Sequence, residues 1–216
     1  MALDVKSQAE LISGSAQGQV LNLKQTENRG LLIEGGLPPY AEMTRRGNRW
    51  KVATSTAFAP VAAVPTTTAP LEIVNNHATL CMVIDTIWVW QLLGTAVVWS
   101  ITPWAQVGAA VYSGNTALNI YSANGSVAYA SATGTPAKTA INQTVVAAGW
   151  EPFPGSTMNF GLAAATPGGA VIGQVDGRLV VPPGKALHVA VSGSVATASS
   201  MQCGASWVWA AVTNET

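Results

Sequence analysis

The residues able to do chemistry are few in this 216-residue chain, and their spacing assembles none of the common sites. There are two histidines. His77 follows Asn75-Asn76 in an expected loop. His188 alternates with Leu187 and Val189, as a strand residue facing a surface or a neighbouring subunit does. No His-Glu-x-x-His, no Cys-x-x-Cys and no histidine pair at ligand spacing occurs, so neither a protein-built metal site nor a cofactor is expected. Gly134-Thr-Pro-Ala-Lys138-Thr139 lacks the glycine that precedes the lysine of a phosphate loop, and it does not join a strand to a helix. There is no Gly-x-Ser-x-Gly nucleophile elbow. Asp85, Glu151 and Asp176 are the only acids between residues 73 and 214. A glycosidase needs two carboxylates across one cleft. Asp85 with Glu151 is the pair to test, against the ordinary role of such acids in turns and subunit contacts.

Two groups of residues suggest binding. Arg45-Arg46-Gly47-Asn48-Arg49-Trp50-Lys51 places four cations around one indole. That set can hold phosphate and stack a base, or it can dock on an acidic surface with the arginine forks on carboxylates. Residues 70–216 carry three cations and five acids, net −2, and the whole chain is neutral with a pI near 6.7. Nucleic-acid binding therefore has no supporting basic face, and docking is the preferred role for Arg45, Arg46, Arg49, Trp50 and Lys51. The second group is the eight tryptophans. Trp88 and Trp90 share one strand face by period-2 spacing, and so do Trp207 and Trp209. Same-face aromatics on strands anchor cores or interfaces, so these four are the subunit-interface candidates. A receptor- or glycan-binding module is the alternative, and it would use loop aromatics such as Trp104 and Trp150.

The elements that must hold these residues divide at a compositional boundary. Residues 1–69 contain 12 of the 20 charged side chains; residues 70–216 contain 8 in 147 positions. A segment so poor in charge, well below the ~25% of ordinary domains, is expected to bury much of its outside against copies of itself or a larger assembly. It has no membrane-length apolar run. The leader, with Pro38-Pro39 and then Pro60, Pro65 and Pro70, reads as an extended arm and linker ordered by another surface. The N-terminus lacks the basic start and apolar core of a signal peptide. Cys81 and Cys203 lie in strand-like runs and read as buried free thiols, as in a chain made in a reducing compartment.

From Leu71 the pattern is all-β. Leu71–Val74, Thr79–Gln91, Ala96–Thr102, Trp104–Tyr112 and a series of shorter runs to Met201–Val212 alternate or carry β-branched residues, with turn signals every 8–12 residues. Thr79–Gln91 is apolar on both faces: Leu80, Met82, Ile84, Trp88 and Trp90 on one, Cys81, Val83, Ile87 and Val89 on the other. Such a strand is covered on both sides. Asn124-Gly125 predicts a type I′ hairpin, and Asp176-Gly177 is a second tight-turn candidate. The expected fold is an antiparallel, jelly-roll-like β-sandwich over residues 70–216, preceded by the arm.

Two stretches resemble phage virion proteins. Asn48-Arg49-Trp50-Lys51-Val52-Ala53-Thr54 through Pro60-Val-Ala-Ala-Val-Pro65-Thr-Thr-Thr-Ala-Pro70 resembles the entry into the β-domain of tailed-phage head-decoration proteins. Gly177-Arg-Leu-Val-Val-Pro182-Pro183-Gly184-Lys-Ala-Leu-His-Val, with Gly204-Ala-Ser-Trp207, is similar to the closing hairpin of jelly-roll virion domains. The match flanks residues 48–212 as a pattern of strands and turns, and Pro-Pro-Gly before an alternating strand also occurs in TNF-like trimers. The resemblance implies a homotrimeric, non-enzymatic capsid decoration (cement) protein. It would be made in the host cytoplasm and bound to the major capsid protein on the virion exterior, with the arm gripping the shell.

Overall fold

A computed structural model describes residues 41–94, 101–112, 117–125, 128–129, 137–146, 148–153, 170–193 and 199–211. The chain divides into two compact units, Met1–Ala41 and Glu42–Thr216. All the strands described here belong to the second. Residues 1–40 of the expected arm lie outside the described residues.

Within the described residues a one-turn helix, α1 (Ala41–Arg45), precedes twelve strands in two antiparallel sheets. The first sheet contains β1 (Arg49–Ala53), β3 (Cys81–Gly94), β5 (Ile120–Ser122), β6 (Ala128–Tyr129), β9 (Ala170–Gln174), β10 (Val180–Val181) and β12 (Ser199–Ala210). Its order is β10-β3-β12-β1-β5-β6, with β9 also paired to β3. The second contains β2 (Thr68–Asn75), β4 (Ile101–Ala109), β7 (Ala137–Thr144), β8 (Glu151–Pro152) and β11 (Lys185–Gly193), in the order β7-β2-β11-β4-β8. The consecutive strands β2 and β3 lie in different sheets, and each pairs with one of the consecutive strands β11 and β12. The chain is a jelly-roll-like β-sandwich.

Period-2 alternation supplies the core. Leu71 and Ile73 of β2, Leu187, Val189 and Val191 of β11 and Ile101 and Ala105 of β4 point inward from the second sheet. They meet Met82, Ile84, Ile87 and Val89 of β3, Met201, Cys203, Ala205 and Trp207 of β12, and Trp50 and Val52 of β1. Each fully buried aliphatic or aromatic side chain contributes about 1.5–3 kcal/mol. Cys81 and Cys203 are both buried and free.

Several expectations are corrected by pairing that local sequence does not show. The expected arm boundary at residue 69 falls inside the sandwich: β1 runs between β12 and β5, and β2 begins at Thr68. The Arg-Trp-Lys-Val alternation sends Trp50 and Val52 into the core and Lys51 to solvent. The long apolar strand does not keep one phase. Ile84 pairs with Trp207 and Thr86 with Ser206, leaving Asp85 as an extra residue in a β-bulge. The bulge shifts the inward set from Met82 and Ile84 to Ile87 and Val89, so Trp88 and Trp90 face outward instead of sharing a face with Met82. The break expected at Pro103 does not occur: β4 runs through it from Ile101 to Ala109, with Pro103 opposite Val191 and beyond the short pairing to β8.

The two tight turns also differ from each other. Asp176 and Gly177 both have positive φ (50° and 77°), and Arg178 N–H donates to the Val175 carbonyl at 3.0 Å, a type I′ geometry. At the other hairpin only Gly125 has positive φ (76°), and its N–H donates to the Ser122 carbonyl at 3.0 Å. Asn124 therefore sits before a glycine in the left-handed region, and the expected I′ turn is replaced by a type I-like turn ending in glycine.

Candidate assembly surface

Cross-strand register builds the outward face of the seven-stranded sheet in rows. One row runs Ile172, Trp88, Gly204, Ala53; the next runs Gln174, Thr86, Ser206, Lys51, Tyr121. Beyond Trp88 lie Trp90 and its partners Ala170 and Gln202. Both tryptophans are half-buried, and Ile172 is 52% exposed. Gly204 lets the Trp88 indole lie across β12, because a Cβ there would come within 2.5 Å of the ring. The rows holding Trp88, Trp90, Ile172 and Ala170 contain no charged residue.

Beside that apolar half is a polar network fixed by the bulge. The Asp85 carbonyl accepts N–H donors from Val175 and Asp176, both at 2.9 Å, which pins the extra residue to the β9–β10 turn. Its carboxylate, 5% exposed, accepts from the Arg49 guanidinium and from Ser206 Oγ at 3.0 Å. Thr86 Oγ1 and Ser206 Oγ lie 2.7 Å apart, and Arg49 Nη2 donates to Ser206 Oγ at 3.2 Å. Arg49 Nε is shielded from solvent without a partner. An arginine–carboxylate pair placed in this way fixes side-chain positions on the face.

The other sheet's outward face carries a polar row in which His188, expected at a surface or a neighbouring subunit, is buried instead. His188 lies opposite Glu72 on one neighbour and Gln106 on the other. Glu72 and His188 are 0% and 2% exposed. Glu72 Oε1 accepts the Val111 N–H at 2.6 Å and lies 3.3 Å from His188 Nε2. Gln106 Nε2 donates to the Val146 carbonyl at 3.0 Å. The segments around Val111 and Val146 thus cover the row. Glu72 Oε2 and His188 Nδ1 have no partner. The signal available in the sequence was Glu72 itself, an acid inside a Val/Ile/Leu strand.

The predicted site residues separate. Arg45 and Arg46 are exposed at the end of α1 and in the turn after it, and Lys51 is exposed on the outward face. Trp50, expected as an arm anchor, fills the core, and Arg49 is tied to Asp85. Of the interface candidates, Trp88 and Trp90 are on the outward face. Trp207 is a core residue because central strand β12 is covered on that side by the second sheet, and Trp209 packs half-buried against the core and against His77, ring centroids 5.3 Å apart. His77 organises its loop: Nδ1 accepts N–H donors from Thr79 and Leu80 at 3.1 and 3.0 Å. Asp85 and Glu151 are on different sheets, and the Asp85 carboxylate is engaged by Arg49 and Ser206. Trp104 and Trp150 donate their indole N–H groups internally, to Ser192 Oγ at 2.7 Å and the Thr66 carbonyl at 3.0 Å. Among the described residues no group of three or more His, Cys, Asp or Glu is placed to hold a metal ion.

No protein-family model matches the chain, and neither a curated protein nor a solved structure is similar to it.

Proposed function

We propose that this chain is a non-enzymatic structural subunit that assembles with copies of itself, as a trimer, and decorates the outside of an icosahedral virion shell. The observation that carries self-assembly is the outward face of the seven-stranded sheet: Trp88, Trp90 and Ile172 in adjacent charge-free rows. Covering such a face removes apolar surface from water at roughly 25 cal/mol per Å², and interface cores are depleted of charge and enriched in aromatics. The virion role rests on the resemblance carried by residues 48–70 and 177–207. In this reading the shell-gripping part is the leader with Arg45 and Arg46, upstream of β1, because Arg49 and Trp50 serve the sandwich itself.

Light scattering on the purified chain tests assembly. A mass three times 22.2 kDa is expected, and Ile172→Asp should lower it. A monomeric wild-type chain at micromolar concentration would refute it. Co-sedimentation with undecorated shells tests the virion role, and absence of binding by the full chain would end that part.

A further inference from the structure

We propose that the corner between β2 and β3 is a proton-operated latch: the loop of residues 76–79 keeps its shape only while His77 Nδ1 is unprotonated, and mild acid releases it. The latch belongs to a single chain and does not depend on the assembly reading above.

The corner has a fixed base and a conditional tip. At the base Asn75, 0% exposed, donates from Nδ2 to the Leu80 and Val181 carbonyls, both at 2.8 Å, and its own carbonyl accepts the Gly184 N–H at 2.9 Å. None of these groups titrates. Asn75 Oδ1 also accepts the His77 N–H at 2.9 Å, which turns the chain and brings the imidazole over the loop. There Nδ1 is the shared acceptor for the N–H groups of Thr79 and Leu80. A backbone N–H donates at every pH, so both bonds need the lone pair of Nδ1, and the proton of the neutral ring sits on Nε2. A second proton can go only to Nδ1. It turns the one acceptor of the tip into a donor that faces two other donors, and both backbone N–H groups must then find water.

The surroundings do not offset this. The ring lies against Trp209, and β12, from Ser199 to Ala210, has no charged residue. Trp209 attracts an imidazolium through its ring but offers Nδ1–H no acceptor. Residues 76–80 carry no charge besides His77 itself. Glu72 of β2 is buried on the outward face of the second sheet, Asp85 of β3 is held by Arg49, and Cys81 at the start of β3 is buried. The flanking turns bring Lys185, beside Gly184, and Arg46, two residues before the Asn48 that donates to the Trp209 carbonyl at 3.1 Å; α1 adds Glu42 and Arg45. Among the described residues no carboxylate bonds the His77 ring.

Amide exchange read by mass spectrometry on the full chain tests the latch, with rates corrected for their intrinsic pH dependence and resolved to residues 76–80. From about pH 8 to about pH 5, the interval in which histidine changes charge, protection of the Thr79 and Leu80 amides is expected to fall roughly tenfold or more while β11 keeps its own. His77→Asn keeps a side-chain acceptor that does not titrate, and His77→Phe keeps a ring on Trp209 without an acceptor. Each variant is expected to give the same protection at either pH, high with Asn and low with Phe. Equal wild-type protection at both pH values overturns the proposal, and so does a fall shared by His77→Asn. A wild-type fall that reaches β11 at the same pH is global unfolding and overturns it too. Oligomer mass plays no part in the readout, so a monomeric chain would remove the assembly reading and leave the latch standing.

Discussion

Gly204 is the position where the packing makes its sharpest demand. It sits in β12 between β3 and β1, and a Cβ there would stand 2.5 Å from Trp88 Cε2 and Cζ2 and 2.5 Å from the Val52 carbonyl oxygen. Non-bonded carbons do not approach so closely, so Gly204→Ala must move both neighbours. The two are unequal. Trp88 is half-buried and has room to turn outward. The Val52 carbonyl belongs to a strand paired on both sides, and displacing it disturbs ladder hydrogen bonds worth about 0.5–1.5 kcal/mol each. Overpacking of this kind costs about 1–3 kcal/mol. Against it stands the reduced freedom of the unfolded chain, about 0.4–1 kcal/mol in favour of alanine. A net loss of about 2–3 kcal/mol is expected. For a domain of this size that lowers Tm by roughly 4–12 °C. Urea titration should show a lower midpoint with an unchanged slope. In a Trp88→Ala background the same substitution should cost less but still register, since only the ring is removed. An unshifted midpoint for Gly204→Ala would refute the close packing of β1, β12 and Trp88; full rescue by Trp88→Ala would refute the part assigned to Val52.

Further expectations concern the fold boundary, the buried row and the buried thiol. Deleting residues 1–40 should leave the far-ultraviolet spectrum and a cooperative melt intact, whereas deleting residues 1–51 removes three of the five residues of β1 and should abolish cooperative unfolding. Glu72→Ala leaves the Val111 N–H and His188 without their buried acceptor and should cost about 3–5 kcal/mol by urea denaturation; Glu72→Gln, which keeps an acceptor oxygen, should cost less. Burial pushes the Cys203 thiol far above its ordinary range. With the folded value raised, this contribution is complete below the ordinary thiol pKa of about 8.5, and it is lost as pH rises, because only the unfolded chain then releases the proton. The stability of wild type relative to Cys203→Ala should therefore fall between about pH 8.5 and 10.5, by up to about 1.4 kcal/mol per pH unit. A flat difference across that range would contradict the burial.

The all-β class was legible because alternation and turn residues recur through the chain, and Asp176-Gly177 marks its turn by chemistry alone. What stayed hidden depends on single residues acting at a distance. The extra residue at Asp85 reverses the faces of β3, and nothing in the run Ile84-Asp85-Thr86 announces it, since a bulge is defined by the strand opposite. That is why Trp88 and Trp90 were correctly grouped together but placed on the same face as Met82. Trp207 and Trp209 share a face as expected, yet Trp207 lies in the core because β12 is central. β1 was masked by its cations: Arg49 and Lys51 look like an arm until Trp50 and Val52 are seen to alternate with them. The Arg49–Asp85 and Glu72–His188 pairs join residues far apart in the chain, and no local pattern encodes such partners.

The placement of β1 also bears on how the chain comes to be folded. Its register partners in β12 run from Arg49↔Val208 to Ala53↔Gly204, so one of the earliest strands is held by the last. Until residues 204–208 have left the ribosome, Trp50 and Val52 lack their β12 partners. β3 likewise waits for most of its ladder, from Cys81↔Ala210 to Gly94↔Ser199. Such distant pairings incur a large loop-closure cost before any contact forms, so folding is slow and waits for β12. During that interval the aromatic strand β3 is bare, and a nascent chain is at risk of aggregating before it folds.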